Sequence, residues 1–294
     1  MKTTNLMNSA INVCIALVII SMLSACATKK HSWGSAKSGY ILNYQRPEDR
    51  TLQYLLNSDY TQEMEIMGQN IDLVSNSSSK FHIDSKGTDK DNFNLEVTID
   101  TMSMIIKSPQ GEIKPDLNPV IGASFDYVVS SKGMELDYSG AEAVKYIVAG
   151  EEEASIASSF QALFPDLPDQ PIRIGDTWVS TDSVVEKGNS GKLEIIGNNT
   201  NTLVGMEKIN GYDCIKINSD MKGTMSGSGS MQGLNTTTSG TIESTDTWYF
   251  AYKEGVFVKL VSEGVAESTT KTTGKKELSI PSKRSYAISK EIIR

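Results

Sequence analysis

Leu52-Gln53-Tyr54-Leu55-Leu56-Asn57-Ser58-Asp59-Tyr60-Thr61-Gln62-Glu63-Met64-Glu65-Ile66 carries apolar side chains at positions 52, 54, 56, 60, 64 and 66, while the odd positions are mostly polar. Successive side chains of a strand leave the pleat in opposite directions, so a period of two marks a strand with one buried and one wet face. The run is unusually long for a strand. Phe93, Leu95, Val97 and Ile99 repeat the pattern, as do Phe125, Tyr127 and Val129, then Met134, Leu136 and Tyr138 beyond the turn residues Lys132-Gly133. Further strands are predicted over 178–185, 192–196, 202–207, 212–221, 247–252, 256–262 and 277–280, with Asn210-Gly211 and Glu254-Gly255 as hairpin turns. The expected fold class is therefore mainly β (α+β): a curved antiparallel sheet or half-barrel of long meandering strands.

The rhythm changes over 141–164. Val144, Ile147 and Val148, then Ile156, Ala157, Phe160, Leu163 and Phe164, recur at three and four, which predicts a short amphipathic helical insert divided at Gly150. Glu151-Glu152-Glu153 would be the solvated first turn of the second helix, where the helix dipole favours negative charge. Pro165, Pro168 and Pro171 then carry the chain, extended, to Ile174-Gly175-Asp176-Thr177-Trp178. The tract 223–240 is poor in apolar residues and rich in Gly, Ser and Thr, and predicts weak edge strands or a mobile hairpin tip with a polar face. Residues 125–136 and 249–260 share an aromatic strand, a Lys-bearing Gly turn and an apolar strand. A single domain over 40–294 is expected, open to reading as two degenerate halves (40–140 and 172–294) joined by the insert 141–171.

At the amino end, an apolar stretch from Ile11 to Met22 closes on Leu23-Ser24-Ala25-Cys26. The stretch is too short for a span of about 20 residues, and Ser24 and Ala25 are small residues suited to flank a cleaved bond. Residues 1–25 read as a signal peptide, Cys26 as the lipid attachment site, and 26–39 as a flexible tether. Two or three acyl chains (palmitate-like), at about 0.8 kcal/mol per buried methylene, would anchor the chain permanently. Ala27 in place of an aspartate points to the outer membrane, with the domain facing the periplasm or the cell surface.

Composition restricts the chemistry. The whole chain carries a formal charge of −8, and loss of Lys2 with the leader leaves 27 basic against 36 acidic residues with no basic stripe, so nucleic acid is not an expected partner. With Cys14 removed and Cys26 acylated, Cys214 has no intrachain partner and reads as a packed strand residue. Histidine is confined to His31 and His82. Metal-ligand spacing, a phosphate-cradling loop and a G-x-S-x-G elbow are all missing from the sequence, so no cofactor, metal or catalytic residue is expected. Asp176 and Asp246 each precede Thr-Trp; carboxylate hydrolysis by that pair is a distant alternative to both marking the start of a strand, with Trp178 and Trp248 anchoring it.

If such a sheet curls without filling its interior, the gap is a pocket for an acyl chain. Candidate lining residues are Tyr54, Leu56, Tyr60, Met64, Ile66, Met104, Phe160 and Phe250; a filled core would use the same side chains. The Leu23–Cys26 box, the strands flanking a mid-chain insert, Ile174-Gly175-Asp176-Thr177-Trp178 and Trp248-Tyr249-Phe250 together resemble a family of uncharacterised bacterial lipoproteins. In layout the chain is also similar to the LolA/LolB and mycobacterial LppX-like group. That resemblance implies a curved half-barrel covered by helices that binds lipid or acyl chains. The expectation is a non-enzymatic, lipid-anchored envelope protein whose partners are the membrane and a lipid or envelope protein. The alternative is a structural or assembly partner docking through its edge strands and Thr/Ser hairpin.

Overall fold

The computed structural model describes residues 33–45, 51–150, 152–188, 191–231, 234–273 and 277–293. The proposed signal peptide, Cys26 and the first part of the proposed tether lie outside the described residues.

A small hairpin, β1 (Gly34–Ser35) with β2 (Gly39–Tyr40), precedes the main sheet. Part of the expected tether is thus folded, with Trp33 packed against the core. One sheet of fourteen strands follows: β3 (Leu52–Ile66), β4 (Gln69–Asp89), β5 (Asn92–Ser108), β6 (Gly111–Ile113), β7 (Ser124–Ser130), β8 (Glu135–Asp137), β9 (Lys145–Ala149), β10 (Glu152–Ser155), β11 (Thr177–Gly188), β12 (Gly191–Ile209), β13 (Tyr212–Met231), β14 (Leu234–Ala251), β15 (Val256–Thr273) and β16 (Ser279–Ile292). Helical structure is confined, among the described residues, to α1 (Ser139–Ala143) and a 3-10 turn (Ala157–Phe160). The fold is mainly β, a curled antiparallel half-barrel.

The strand order runs β8-β7-β5-β4-β3-β16-β15-β14-β13-β12-β11-β10-β9, with β6 beside β5. Its two edges, β8 and β9, are joined in sequence by residues 138–144 alone. A flat sheet of that order would be roughly 55–60 Å wide at the usual strand spacing, whereas seven residues reach at most about 25 Å. The sheet must curl until its edges approach each other. Asp116 N donates to Ile147 O at 2.9 Å across the seam, tying the segment after β6 to β9.

Glycine relieves the curled wall where strands crowd. A Cβ on Gly223 would lie 2.5 Å from Ile196 O and 3.0 Å from Gly197 Cα, and one on Gly240 would collide with Glu267 O. This revises the edge-strand reading of 223–240: the described part of the tract lies in β13 and β14, inside the sheet between β12 and β15, at the end where β13 and β14 form a hairpin whose turn, 232–233, lies outside the described residues. Its lack of large side chains permits close strand approach.

The insert over 141–164 carries a short helix, α1, and the 3-10 turn, but not two helices divided at Gly150. α1 has five residues, and the chain then forms the hairpin β9–β10 with Gly150 at φ +60° in its turn. Tyr146 and Val148 are half-buried and alternate with exposed Lys145, Ile147 and Ala149, so β-branched residues prevail and complete the sheet edge. Glu152 and Glu153 belong to β10, not to a helix start. The expected strands 192–196 and 202–207 are one strand, β12.

One end of the bore is packed solid. Tyr54, Phe81, Ile99, Ile217, Trp248, Phe250 and Phe257 are buried there, and the segment 156–167 plugs it with Ile156, Phe160, Leu163, Phe164 and Leu167. Irregular backbone inside a core needs partners for its polar groups. Tyr127 Oη donates to Phe160 O at 3.0 Å, Tyr44 Oη to Pro165 O at 2.9 Å, Trp178 Nε1 to Asp166 O at 3.1 Å, and Lys290 Nζ to Leu163 O; Phe164 N donates to Glu135 Oε1 at 3.1 Å.

Candidate functional site

Beyond the plug the bore is not filled by protein. Antiparallel register sets what lines it, because every second residue of each strand faces inward. Its floor, where it meets the packed core, is Leu56, Lys290, Leu260 and Trp248, continued in register by the fully buried Ile217 and Leu203. The next ring is Ser58, Ile288, Ser262, Asp246, Ser219 and Asn201, followed by Tyr60, Tyr286, Gly264, Ser244, Met221 and Asn199. Gln62, Arg284, Ala266 and Ile242 come above these. Gly264 leaves room for the Tyr286 ring, which would collide with a Cβ there.

Three cavities of about 340, 360 and 520 Å3 occupy this space. The first lies against the polar rings of β11–β16, the second against an aliphatic wall of Leu73, Ile99, Met102, Met104 and Ile106 from β4 and β5, and the third toward the rim. Ser158 of the plug, Glu186 of β11 and Arg284 of β16 line all three, so the cavities meet at these residues. Burial, and then the charge of Glu186, push the Tyr60 hydroxyl above its ordinary pKa although five strands separate β3 from β11 along the sheet. The walls therefore face one another across a narrow space.

Burial governs the ionisable groups. It raises Asp182, against a 2.6 Å hydrogen bond from Asn199 Nδ2 and the attraction of Lys290, which both act downward. Asp166 is pushed up to about 6 by burial and the nearby Asp182 charge. Asp246 is raised by burial, opposed by hydrogen bonds to Ser262 and Ser244, while its Oδ1 is buried without a hydrogen-bond partner. Lys290 is lowered by burial to about 8, with Glu135 and Asp182 pulling the other way. Among the described residues no group of three or more His, Cys, Asp or Glu side chains could hold a metal ion.

The residues expected to line a pocket are distributed unevenly. Leu56 and Tyr60 line both inner cavities, Met104 and Phe160 the one against the aliphatic wall, and Met64 the rim cavity. Tyr54 and Phe250 are packed core: the Tyr54 hydroxyl donates to Phe257 O at 2.9 Å, and Phe250 meets the Tyr44 ring edge-on at 5.1 Å. Ile66, at the far end of β3, lines none of these three cavities. Asp176 accepts from Arg173 N at 2.8 Å in the turn before β11, while Asp246 faces the bore. Trp178 and Trp248 meet edge-to-face at 5.9 Å. Cys214 is buried, its thiol pushed up to about 11 by burial.

Sequence reasoning missed Glu186, Asp182, Arg284 and Lys290. A signal was present: in β16 Arg284 and Lys290 share the parity of Ile280, Tyr286, Ile288 and Ile292, and in β11 Asp182 and Glu186 share that of Trp178 and Val184. A charge in the apolar parity of a long strand marks an interior that is not simply packed.

No protein-family model matches the chain, and no curated protein matches it. Among solved structures, the crystal structure of Pseudomonas aeruginosa OccK11 (OpdR) is similar at 7% identity, covering 87% of this chain and 100% of that chain with a TM-score of 0.20. A likeness at that score carries no argument.

Proposed function

We propose that this chain is a non-enzymatic, lipid-anchored protein of a bacterial envelope whose half-barrel receives an apolar chain. One observation carries the binding part. Directly above a tightly packed core, Leu73, Met102, Met104 and Ile106 form an aliphatic wall facing a cavity of about 360 Å3, a volume within the range of small-ligand pockets. A wall of this kind left against water is unfavourable by about 25 cal/mol per Å2, and an acyl chain laid along it removes that exposure. Methionine thioethers tolerate a flexible guest because their rotamers adapt.

The anchoring part rests on the Leu23-Ser24-Ala25-Cys26 box. Cells fed an alkyne-bearing palmitate should yield a labelled protein that sediments with membranes. Cys26→Ser should carry no label and leave the processed membrane fraction. Label retained by Cys26→Ser, or a wild-type chain recovered unlabelled from the soluble fraction, contradicts the anchor.

A further inference from the structure

The junction of the three cavities holds two opposite charges that do not neutralise each other. Arg284 Nη2 donates to Gln62 Oε1 at 3.2 Å and the guanidinium lies 6.0 Å from the Tyr60 ring centroid, but no carboxylate of the described residues pairs with it. A guanidinium offers five donors, so one neutral acceptor leaves most of them free toward the bore. The Glu186 carboxylate, on β11, has no hydrogen bond or ion pair to another described residue, although its charge reaches the Tyr60 and Tyr146 hydroxyls. Both side chains line all three cavities, yet no ion pair joins them.

The remaining charges of the bore differ. Lys290 is taken up by Leu163 O, and Asp182 by Asn199 Nδ2 at 2.6 Å. Asp246 adds negative charge deeper on the β14 wall, with its Oδ1 unpartnered. A purely anionic head would satisfy Arg284 but meet Glu186, Asp182 and Asp246; a purely cationic head would leave Arg284 unmatched. A head bearing both signs satisfies each, and charge-assisted hydrogen bonds in a partly desolvated site are the strong ones.

We infer that the cavity junction is a binding site for a zwitterionic amphiphile, its phosphate on Arg284, its amine on Glu186, and its tail along Leu73, Met102, Met104 and Ile106. This rests on the apolar-chain reading above and adds the head group to it. The bidentate geometry of Arg284 suits a phosphate, and Gln62 and the Tyr60 ring hold the guanidinium in place.

The test uses the full chain purified in dodecyl maltoside and stripped of co-isolated lipid. It is equilibrated with equimolar lauroyl lysophosphatidylethanolamine, lauroyl lysophosphatidylglycerol and monolauroylglycerol, and adducts are counted by native mass spectrometry. Two charge-assisted contacts should favour the ethanolamine lipid about tenfold or more over monolauroylglycerol. Glu186→Gln should bring it down to the glycerol phospholipid. Arg284→Gln should bring both phospholipids down to the level of monolauroylglycerol while its circular dichroism spectrum and melting temperature stay those of the wild type, and Arg284→Lys should restore part of the loss. Equal adducts of all three lipids in the wild type, or no response to Glu186→Gln, overturn the head-group assignment and leave the apolar bore standing. Adducts of none overturn both. Free phosphoethanolamine binding as tightly as the lysolipid also overturns it, because the tail would then contribute nothing.

Discussion

Phe81→Ala is expected to destabilise the fold by about 3–5 kcal/mol, the range for removing a buried ring that its neighbours cannot collapse onto. Phe81 is fully buried on β4, stacked on Tyr54 at 5.6 Å and met edge-on by Phe160 at 5.4 Å. It therefore joins three parts of the molecule: the β3–β4 wall, the 3-10 turn of the plug and, through Tyr54 stacked on Phe257 at 6.1 Å, the β15 wall. A strand pleat fixes the positions of the rings on the walls, and the plug is tied to them by side-chain hydrogen bonds. A cavity at Phe81 should remain a cavity. Urea unfolding should show a lower midpoint at an unchanged slope. A loss below about 1 kcal/mol would mean that the plug does not seat against the sheet as described.

Stability should pass through a minimum near pH 8. Burial raises Glu135 to about 8, opposed by the hydrogen bond from Phe164 N, with the Asp182 and Asp166 charges adding to the rise. Between its ordinary value and pH 8 the unfolded chain has lost this proton while the folded chain keeps it, so stability falls as pH rises, by at most about 1.4 kcal/mol per unit. Asp166, raised to about 6, acts in the same direction over the lower part of that window. Lys290 acts in the opposite sense: with a folded value of about 8, it is deprotonated in the fold but still protonated in the unfolded chain between there and its ordinary value. Stability contributed by Lys290 therefore rises with pH above 8. Tyr44 and Tyr127, raised well above their ordinary value by burial, reverse this gain once the unfolded tyrosines ionise. Glu135→Gln should remove the descending limb above about pH 6, leaving only the part due to Asp166 below it, and be more stable than the wild type at pH 8 by on the order of 3 kcal/mol. Chemical denaturation between pH 5 and 9 checks this, and parallel profiles for the two proteins would contradict the buried state of Glu135.

What could be read in advance follows from side-chain periodicity. The even parity of β3, from Leu52 to Met64, states which face is inward, and the structure keeps that parity from packed core to open bore. Strand length was less legible. Asn198-Asn199-Thr200-Asn201 in β12 has the composition of a turn, but Asn199 and Asn201 point into the bore and bond Asp182 and Ser180 across the strand pair. The Gly-Ser-Thr tract of β13 and β14 likewise looks too polar for a sheet interior; its neighbours on both sides, supplied by residues distant in sequence, determine its conformation. The spacing of Ile156, Ala157, Phe160, Leu163 and Phe164 marks burial correctly yet does not distinguish a helix from a plug, since the partners of that backbone, Tyr44, Tyr127, Glu135 and Lys290, come from other parts of the chain. The candidate site depended on the same long-range information, because Glu186 and Arg284 meet only when the sheet curls.

The central claim is that the bore above the plug is occupied by an amphiphile when the protein is in its membrane. The most direct measurement is the amount of non-covalent lipid per chain released from the full-length protein isolated from its own membrane, compared with Met104→Trp, which places a large ring in the cavity against the aliphatic wall. About one amphiphile per wild-type chain and several-fold less in Met104→Trp is the expected result. A wild-type chain that arrives free of lipid, or a lipid content that Met104→Trp leaves unchanged, would contradict it.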